Sequence, residues 1–134
     1  MKKTLSTLIA CLMTLAFGPS TAQAKVFDSY AQTQILSAYN AAVAVYNAQP
    51  SDDAYIECYY GYYGYYYFTL GVIYNSDAYR YYGYAFVRGM FDYAARAQGN
   101  SPNDGSTLTT NIYSAYFHSY FGFYFAYFAY ANFF

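Results

Sequence analysis

Residues 77–99, DAYRYYGYAFVRGMFDYAARAQG, decide the fold. Asp77, Arg80, Tyr84, Arg88, Asp92 and Arg96 recur every three or four positions and draw one polar stripe. Tyr79, Tyr82, Phe86, Met90, Tyr93 and Ala97 draw an opposite stripe, stepping 3, 4, 4, 3, 4. That is the period of an amphipathic helix, not the alternation of a strand. Asp77 with Arg80, Arg88 with Asp92, and Asp92 with Arg96 sit at helical spacings, each pair worth a few tenths of a kcal/mol. Ser76 supplies an N-cap and Gly99 a stop. The expectation is a helix with a solvated face of charges, which is not a binding site, and with Phe86 in the core.

Outward from this helix, breakers cluster at Gln49-Pro50-Ser51, at Asn75-Ser76, and from Gly99 to Ser106. The four segments between them hold 20-odd residues each, a length that suits helices. In the first, 28–48, Leu36, Tyr39, Val43 and Tyr46 make the apolar stripe while Gln32, Asn40 and Asn47 face away. Asp28 reads as an N-terminal acid. The second opens on Ser51 as cap, with Asp52, Asp53 and Glu57 where the helix dipole favours acids. It then runs without a charge through Tyr59, Tyr60, Tyr62, Tyr63, Tyr65, Tyr66 and Tyr67, interrupted by Gly61 and Gly64. The fourth, 109–134, carries His118 as its one ionisable group besides tyrosines. Its small residues Ala115, Ser119, Gly122, Ala126 and Ala129 step 4, 3, 4, 3, a seam that lets a neighbouring backbone approach closely.

Four helices with short connections predict an all-α, antiparallel four-helix bundle made of two helical hairpins, 1–2 and 3–4. Ala54–Gly61 echoes Ala115–Gly122 weakly, in keeping with such a duplication. An outer-membrane barrel is the competitor, since Tyr and Phe favour strands and the chain ends in Phe134. Eight strands of about ten residues need seven turns. Only three breaker clusters are present, and period-two polarity is absent.

The first two dozen residues read as an export signal. Lys2 and Lys3 precede a short apolar stretch, Leu5 to Phe17; Gly18-Pro19 breaks it, and Ala22-Gln23-Ala24 places small residues at the cleavage positions. The domains are thus a signal peptide, 1–24, and one Tyr/Phe-rich helical domain, 25–134. A lipidated Cys11 is the alternative reading of Leu8-Ile9-Ala10-Cys11. Of the 134 residues, 110 remain after cleavage, and four cations against seven acids leave a net charge of −3. Thirty-four of the 110 are Tyr or Phe, and only 12 are Leu, Ile or Val. The core is therefore expected to consist of rings and alanine. Cys58 alone cannot form a disulfide within the chain and reads as a buried small hydrophobe.

Catalytic sets are scarce. One histidine and one cysteine make no metal site, a Cys58–His118 dyad is outweighed by packing roles, and Glu57 with Asp52 or Asp53 is accounted for by the dipole. No phosphate loop is present, the chain is not basic enough for nucleic acid, and the sequence calls for no cofactor. Twenty-three tyrosines on four helices exceed what a core can hold, so many lie at surfaces, where Tyr favours contact. The sequence thus points to a non-enzymatic exported or envelope protein. Its partner would be itself or an envelope or extracellular surface, met through Tyr59, Tyr62, Tyr63, Tyr66, Tyr120, Phe123, Tyr124 and Tyr127. Gly61, Gly64, Ala115, Ser119, Gly122, Ala126 and Ala129 would pack the helices. Two alternatives stand beside it. One is a membrane-active protein, since the last 22 residues are long enough to span. The other is a binder of a planar or hydrophobic molecule in an aromatic-lined cavity, with His118 or a Tyr as the axial residue for a haem-like ligand.

Overall fold

A computed structural model describes residues 25–131. The expected signal peptide, Cys11 within it, and the last three residues of the chain lie outside the described residues. Four α-helices follow one another: α1 Val26–Ala48, α2 Asp52–Ile73, α3 Asp77–Gly99 and α4 Thr107–Tyr130, with no strand among the described residues. Ser51, Ser76 and Ser106 cap α2, α3 and α4, each hydroxyl accepting from the backbone N–H three residues on. The fourth helix therefore starts two residues earlier than expected. At the end of α2, Asn75 adopts φ +48°, Ser76 N–H reaches Gly71 O at 2.8 Å, and Asn75 N–H reaches Val72 O at 3.3 Å. This left-handed cap is why Asn75-Ser76 breaks the chain.

Each helix packs on its neighbours in chain order, and α4 closes the ring on α1, so α1 and α3 lie on one diagonal and α2 and α4 on the other. Neighbours are antiparallel: Gly71 meets Arg80 while Gly61 meets Met90, and Tyr81 meets Tyr130 while Phe91 meets Tyr116. The result is a small all-α four-helix bundle.

The interior matches the expected composition in its alanines but not in its rings. Among the described residues three rings, Tyr39, Tyr65 and Phe68, are fully buried. Around them lie Ile35, Val43, Val45, Val72, Val87, Ile112, Met90 and nine alanines, so half of the scarce aliphatics are inside and most of the rings form a jacket. Glycine explains how. A Cβ on Gly83 would stand 2.6 Å from Phe68 N, and one on Gly71 2.7 Å from Arg80 N. Backbones approach too closely there for any side chain, and the rings are displaced to the flanks.

Helix α3 is rotated about one position from its expected orientation. Arg80, Gly83, Val87, Met90 and Ala94 face inward, and Met90 alone belongs to the expected apolar stripe. Tyr82 is exposed; Phe86 is half-buried and lies flat against Tyr67 of α2, centroids 5.6 Å apart. Arg80, expected in water, is wholly buried. Arg96 pairs across to Asp53 of α2 at 3.6 Å. Two further polar expectations are corrected. Gln32 is buried, its amide donating to Thr69 Oγ1 at 3.4 Å, and Glu57 is buried where a solvated early-turn acid was expected.

Candidate functional site

Tyr59, Tyr62, Tyr63 and Tyr66 form one stack along α2, with Tyr59–Tyr63 centroids 4.8 Å apart and Tyr62–Tyr63 5.1 Å. Their outer sides differ. Tyr59 is exposed, whereas Tyr62 lies on Tyr39 and Tyr63 on Phe86, which leaves those two half-buried. Tyr120, Phe123, Tyr124 and Tyr127 lie on α4, at the diagonal corner of the bundle. The structure therefore provides two aromatic faces, not one. Phe123 turns toward α3 and meets Phe91 at 5.1 Å. The other three belong to an outer stripe that sequence reading did not isolate: Tyr113, Phe117, Tyr120, Tyr124 and Tyr127, each 36–52% exposed. It steps 4, 3, 4, 3, two residues out of phase with the buried seam of Ala115, Ser119, Gly122, Ala126 and Ala129. That spacing was visible in the sequence. Gly61 and Gly64 face Met90 and Val87, and Gly122 faces Ile35; Gly71 and Gly83, not counted from sequence among the packing residues, make the closest approaches to backbone between α2 and α3.

One end of the bundle is closed by charge. Arg80 donates from Nε to Asp28 Oδ1 at 2.9 Å and from an Nη to Oδ2 at 2.8 Å, with both side chains buried. Its other Nη reaches Asn75 Oδ1 at 3.1 Å and Asp77 at 3.3 Å. Lys25 joins through three bonds: its backbone N–H donates to Asp28 Oδ2 at 2.8 Å, its Nζ to Asp77, and its Nζ to Ala129 O at 2.9 Å. Two cations and two carboxylates thus tie the start of α1 to the starts and ends of the other helices. Buried ion pairs need such complete hydrogen bonding to persist.

The other end holds a cavity of about 210 Å³ whose wall includes Glu57. This carboxyl is 3% exposed, its Oε2 has no hydrogen-bond partner, and burial pushes it up to about 7. The loop over the cavity is pinned by Asp104, which accepts from Ser106 N–H at 2.9 Å and from the Thr109 hydroxyl at 2.8 Å. Tyr93 is the one ring in this wall, so the expected aromatic lining is not found here. Rings do line a shallow groove of about 230 Å³ at Tyr84, Phe123, Tyr124, Tyr127 and Phe128.

Cys58 and His118 point to other partners. His118 Nδ1 lies 2.6 Å from Gln34 Oε1 of α1, and burial lowers its basicity. Cys58 is half-buried beside the Tyr39 cluster, less enclosed than expected. Burial, with Cys58 and Tyr62 adding to it, pushes the Tyr39 phenol up to about 12. Among the described residues no group of three or more His, Cys, Asp or Glu could hold a metal ion. No helix among them is long and apolar enough to cross a membrane; α4 has the length, but its hydroxyls lower its hydropathy. Compared with known proteins, the chain matches no family model, no curated protein and no solved structure.

Proposed function

We propose that this chain is an exported, non-enzymatic structural protein of the envelope or extracellular space that self-associates through aromatic helix faces. The outer stripe of α4 carries the reading. Five rings at 36–52% exposure line one side of a helix that has no Asp, Glu, Lys or Arg from Thr107 to Tyr130. Contiguous exposed apolar surface of this kind marks interaction sites. Its 4, 3, 4, 3 stepping is the spacing with which one helix seats against another at a shallow crossing angle. A second copy of the same stripe is the favoured occupant, because an uncharged face asks for no complementary charge and a two-fold contact is self-complementary.

Sedimentation equilibrium tests it. The wild-type chain is expected to dimerise or assemble further, and Tyr120→Lys with Tyr124→Lys to be monomeric with unchanged helicity. A wild-type chain that stays strictly monomeric at high concentration overturns the reading. Vesicle flotation of the monomeric fraction separates self-association from adsorption to lipid.

A further inference from the structure

The closed end of the bundle carries a cluster of four phenols between α3 and α4. Tyr81 and Tyr84 of α3 meet Tyr130 and Tyr127 of α4 in antiparallel order, with centroids 5.1 Å apart for Tyr81–Tyr130 and 5.6 Å for Tyr84–Tyr127. Tyr84 also stacks on Tyr130 at 6.4 Å and lies 6.3 Å from Tyr81, which joins all four. The Tyr81–Tyr130 approach is closer than Tyr60–Tyr93 and Tyr67–Tyr82, the phenol pairs at 5.9 Å on the α2–α3 flank. The backbones beneath it are held in register. Arg80, next to Tyr81, is locked to Asp28, and the carbonyl of Ala129, next to Tyr130, accepts from Lys25 Nζ at 2.9 Å. Tyr81 is 44% exposed and Tyr127 41%, so a soluble oxidant reaches the cluster from either helix. Phenols four apart on one helix, such as Tyr59 and Tyr63 at 4.8 Å, start side by side with their Cβ bonds tilted the same way. Tyr81 and Tyr130 start from two backbones and approach from opposite sides.

We propose that Tyr81 and Tyr130 form an oxidative cross-linking site, joined as a dityrosine when hydrogen peroxide and a haem peroxidase supply the one-electron oxidations. The chain has 23 tyrosines and no tryptophan, so phenols are its most readily oxidised rings. Each of the two phenols gives up one electron and its hydroxyl proton, and hydrogen peroxide takes both pairs and becomes two waters. The unpaired electron of each phenoxyl radical is shared with the ring carbons beside the oxygen. Two such carbons, one Cε of Tyr81 and one of Tyr130, form the new bond. The hydrogens on those carbons then move to the two oxygens and restore both phenols, so the product lacks two hydrogens in all. Tyr84 and Tyr127 are reservoirs: a radical formed on either exchanges with the pair through the ring contacts. The bond ties α3 to α4 across residues 81–130 and narrows the unfolded ensemble as a disulfide does. It needs one copy of the chain and stands apart from self-association.

Peptide mapping tests this on an equal mixture of unlabelled and nitrogen-15 chains, treated with hydrogen peroxide and a haem peroxidase and then digested with trypsin. Cleavage after Arg80, Arg88 and Arg96 places Tyr81 and Tyr130 on separate peptides. The two are expected to appear joined, lighter by two hydrogens, with fragment ions locating the bond at Tyr81 and Tyr130 and with the same isotope in both halves. Tyr81→Phe and Tyr130→Phe, which keep the ring and remove the hydroxyl, are each expected to lower that product at least tenfold. Tyr74→Phe, at an exposed phenol outside the cluster, is expected to leave it unchanged. The cross-linked chain is expected to unfold at higher urea concentration than the untreated one. The wild-type map stands even if a variant does not fold. Absence of the joined peptides overturns the proposal, as does a bond placed at Tyr82 or Tyr84, an undiminished product in Tyr130→Phe, or an unshifted urea midpoint. A product that mixes isotopes overturns it too, and counts instead for contact between copies.

Discussion

The two ends of the bundle solve the same problem differently. At one end a buried arginine meets a buried carboxylate on two hydrogen bonds, with Lys25, Asn75 and Asp77 completing the set. At the other a buried carboxylate, Glu57, stands beside a cavity with an unbonded oxygen. The closed end holds α1, α2, α3 and α4 together by bonds between residues as far apart as Lys25 and Ala129. The open end carries the loop pinned by Asp104 and the exposed Arg96–Asp53 bridge. A buried charge fixes a fold when its partner is built in, and makes stability depend on pH when it is not. Substitutions at each end test that distinction.

The largest effect is expected at the closed end. Arg80→Ala leaves Asp28 buried without its cation, and removal of one partner from a buried pair costs about 3–5 kcal/mol. Urea denaturation reads this directly. Replacing both, Asp28→Leu with Arg80→Met, is expected to recover most of the loss, because a well-packed apolar pair needs no desolvation of charge. A double variant as unstable as Arg80→Ala would show that Asn75 and Asp77 need the guanidinium for themselves.

The open end should give an effect of similar sign but tied to pH. Burial raises the Glu57 carboxyl from 4.5 to about 7, so the native state holds its proton more tightly than the unfolded chain. The stabilisation is fully present below about pH 4.5 and is lost as pH rises through about 7, a change on the order of 3 kcal/mol. Asp53, Arg96 and Tyr93 are the other titratable groups in the cavity wall, with the two charged ones paired and solvated at the mouth. Glu57→Gln is therefore expected to flatten this slope and to be the more stable protein at pH 8. Chemical denaturation at pH 5 and pH 8 checks both points.

Glycine contacts come next. Gly71→Ala forces a methyl to within 2.7 Å of Arg80 N and Cγ, prising α3 from α2 at the closed end. Overpacking of this kind costs about 1–3 kcal/mol. Gly99→Ala, with nothing within 4 Å of the new methyl, is expected to be neutral or to stabilise by a few tenths of a kcal/mol. Thermal unfolding of the two variants side by side distinguishes a packing glycine from a merely terminal one.

These contrasts also show what the sequence could and could not disclose. Breakers and serine caps placed the helices because those signals are local: Ser51 and Ser76 act on the residues beside them. The α4 seam was equally legible, since Ala115, Ser119, Gly122, Ala126 and Ala129 differ in size from everything around them. The orientation of α3 was not. Reading rings as core and arginine as surface turned the helix by one position, because Tyr is amphipathic and because the partner of Arg80 lies 52 residues away. Glu57 was misread for a related reason. Its place in the early turns of α2 suggested a solvated dipole acid, and only the packing of α1, α3, α4 and the loop around it makes it buried. Residues whose role depends on distant contacts were the ones that pattern reading missed.

The last expected effect concerns the first described residue. The Lys25 backbone nitrogen donates to Asp28 Oδ2 at 2.8 Å, inside the network that closes the bundle. Cleavage after Ala24, the reading of the Ala22-Gln23-Ala24 motif, would convert that amide into an ammonium. The bond would then be charge-assisted and about twice as strong, a gain of about 1 kcal/mol over the amide. A chain beginning at Lys25 is accordingly expected to be more stable at pH 6 than the same chain acetylated at that nitrogen. The difference should fade at high pH, where the amine is neutral. Asp28→Asn should erase most of it, since the acceptor then carries no charge. If acetylation leaves stability unchanged at pH 6, the Lys25 nitrogen is spectator to the closed end, and Arg80 and Asp77 hold that end without help from the terminus.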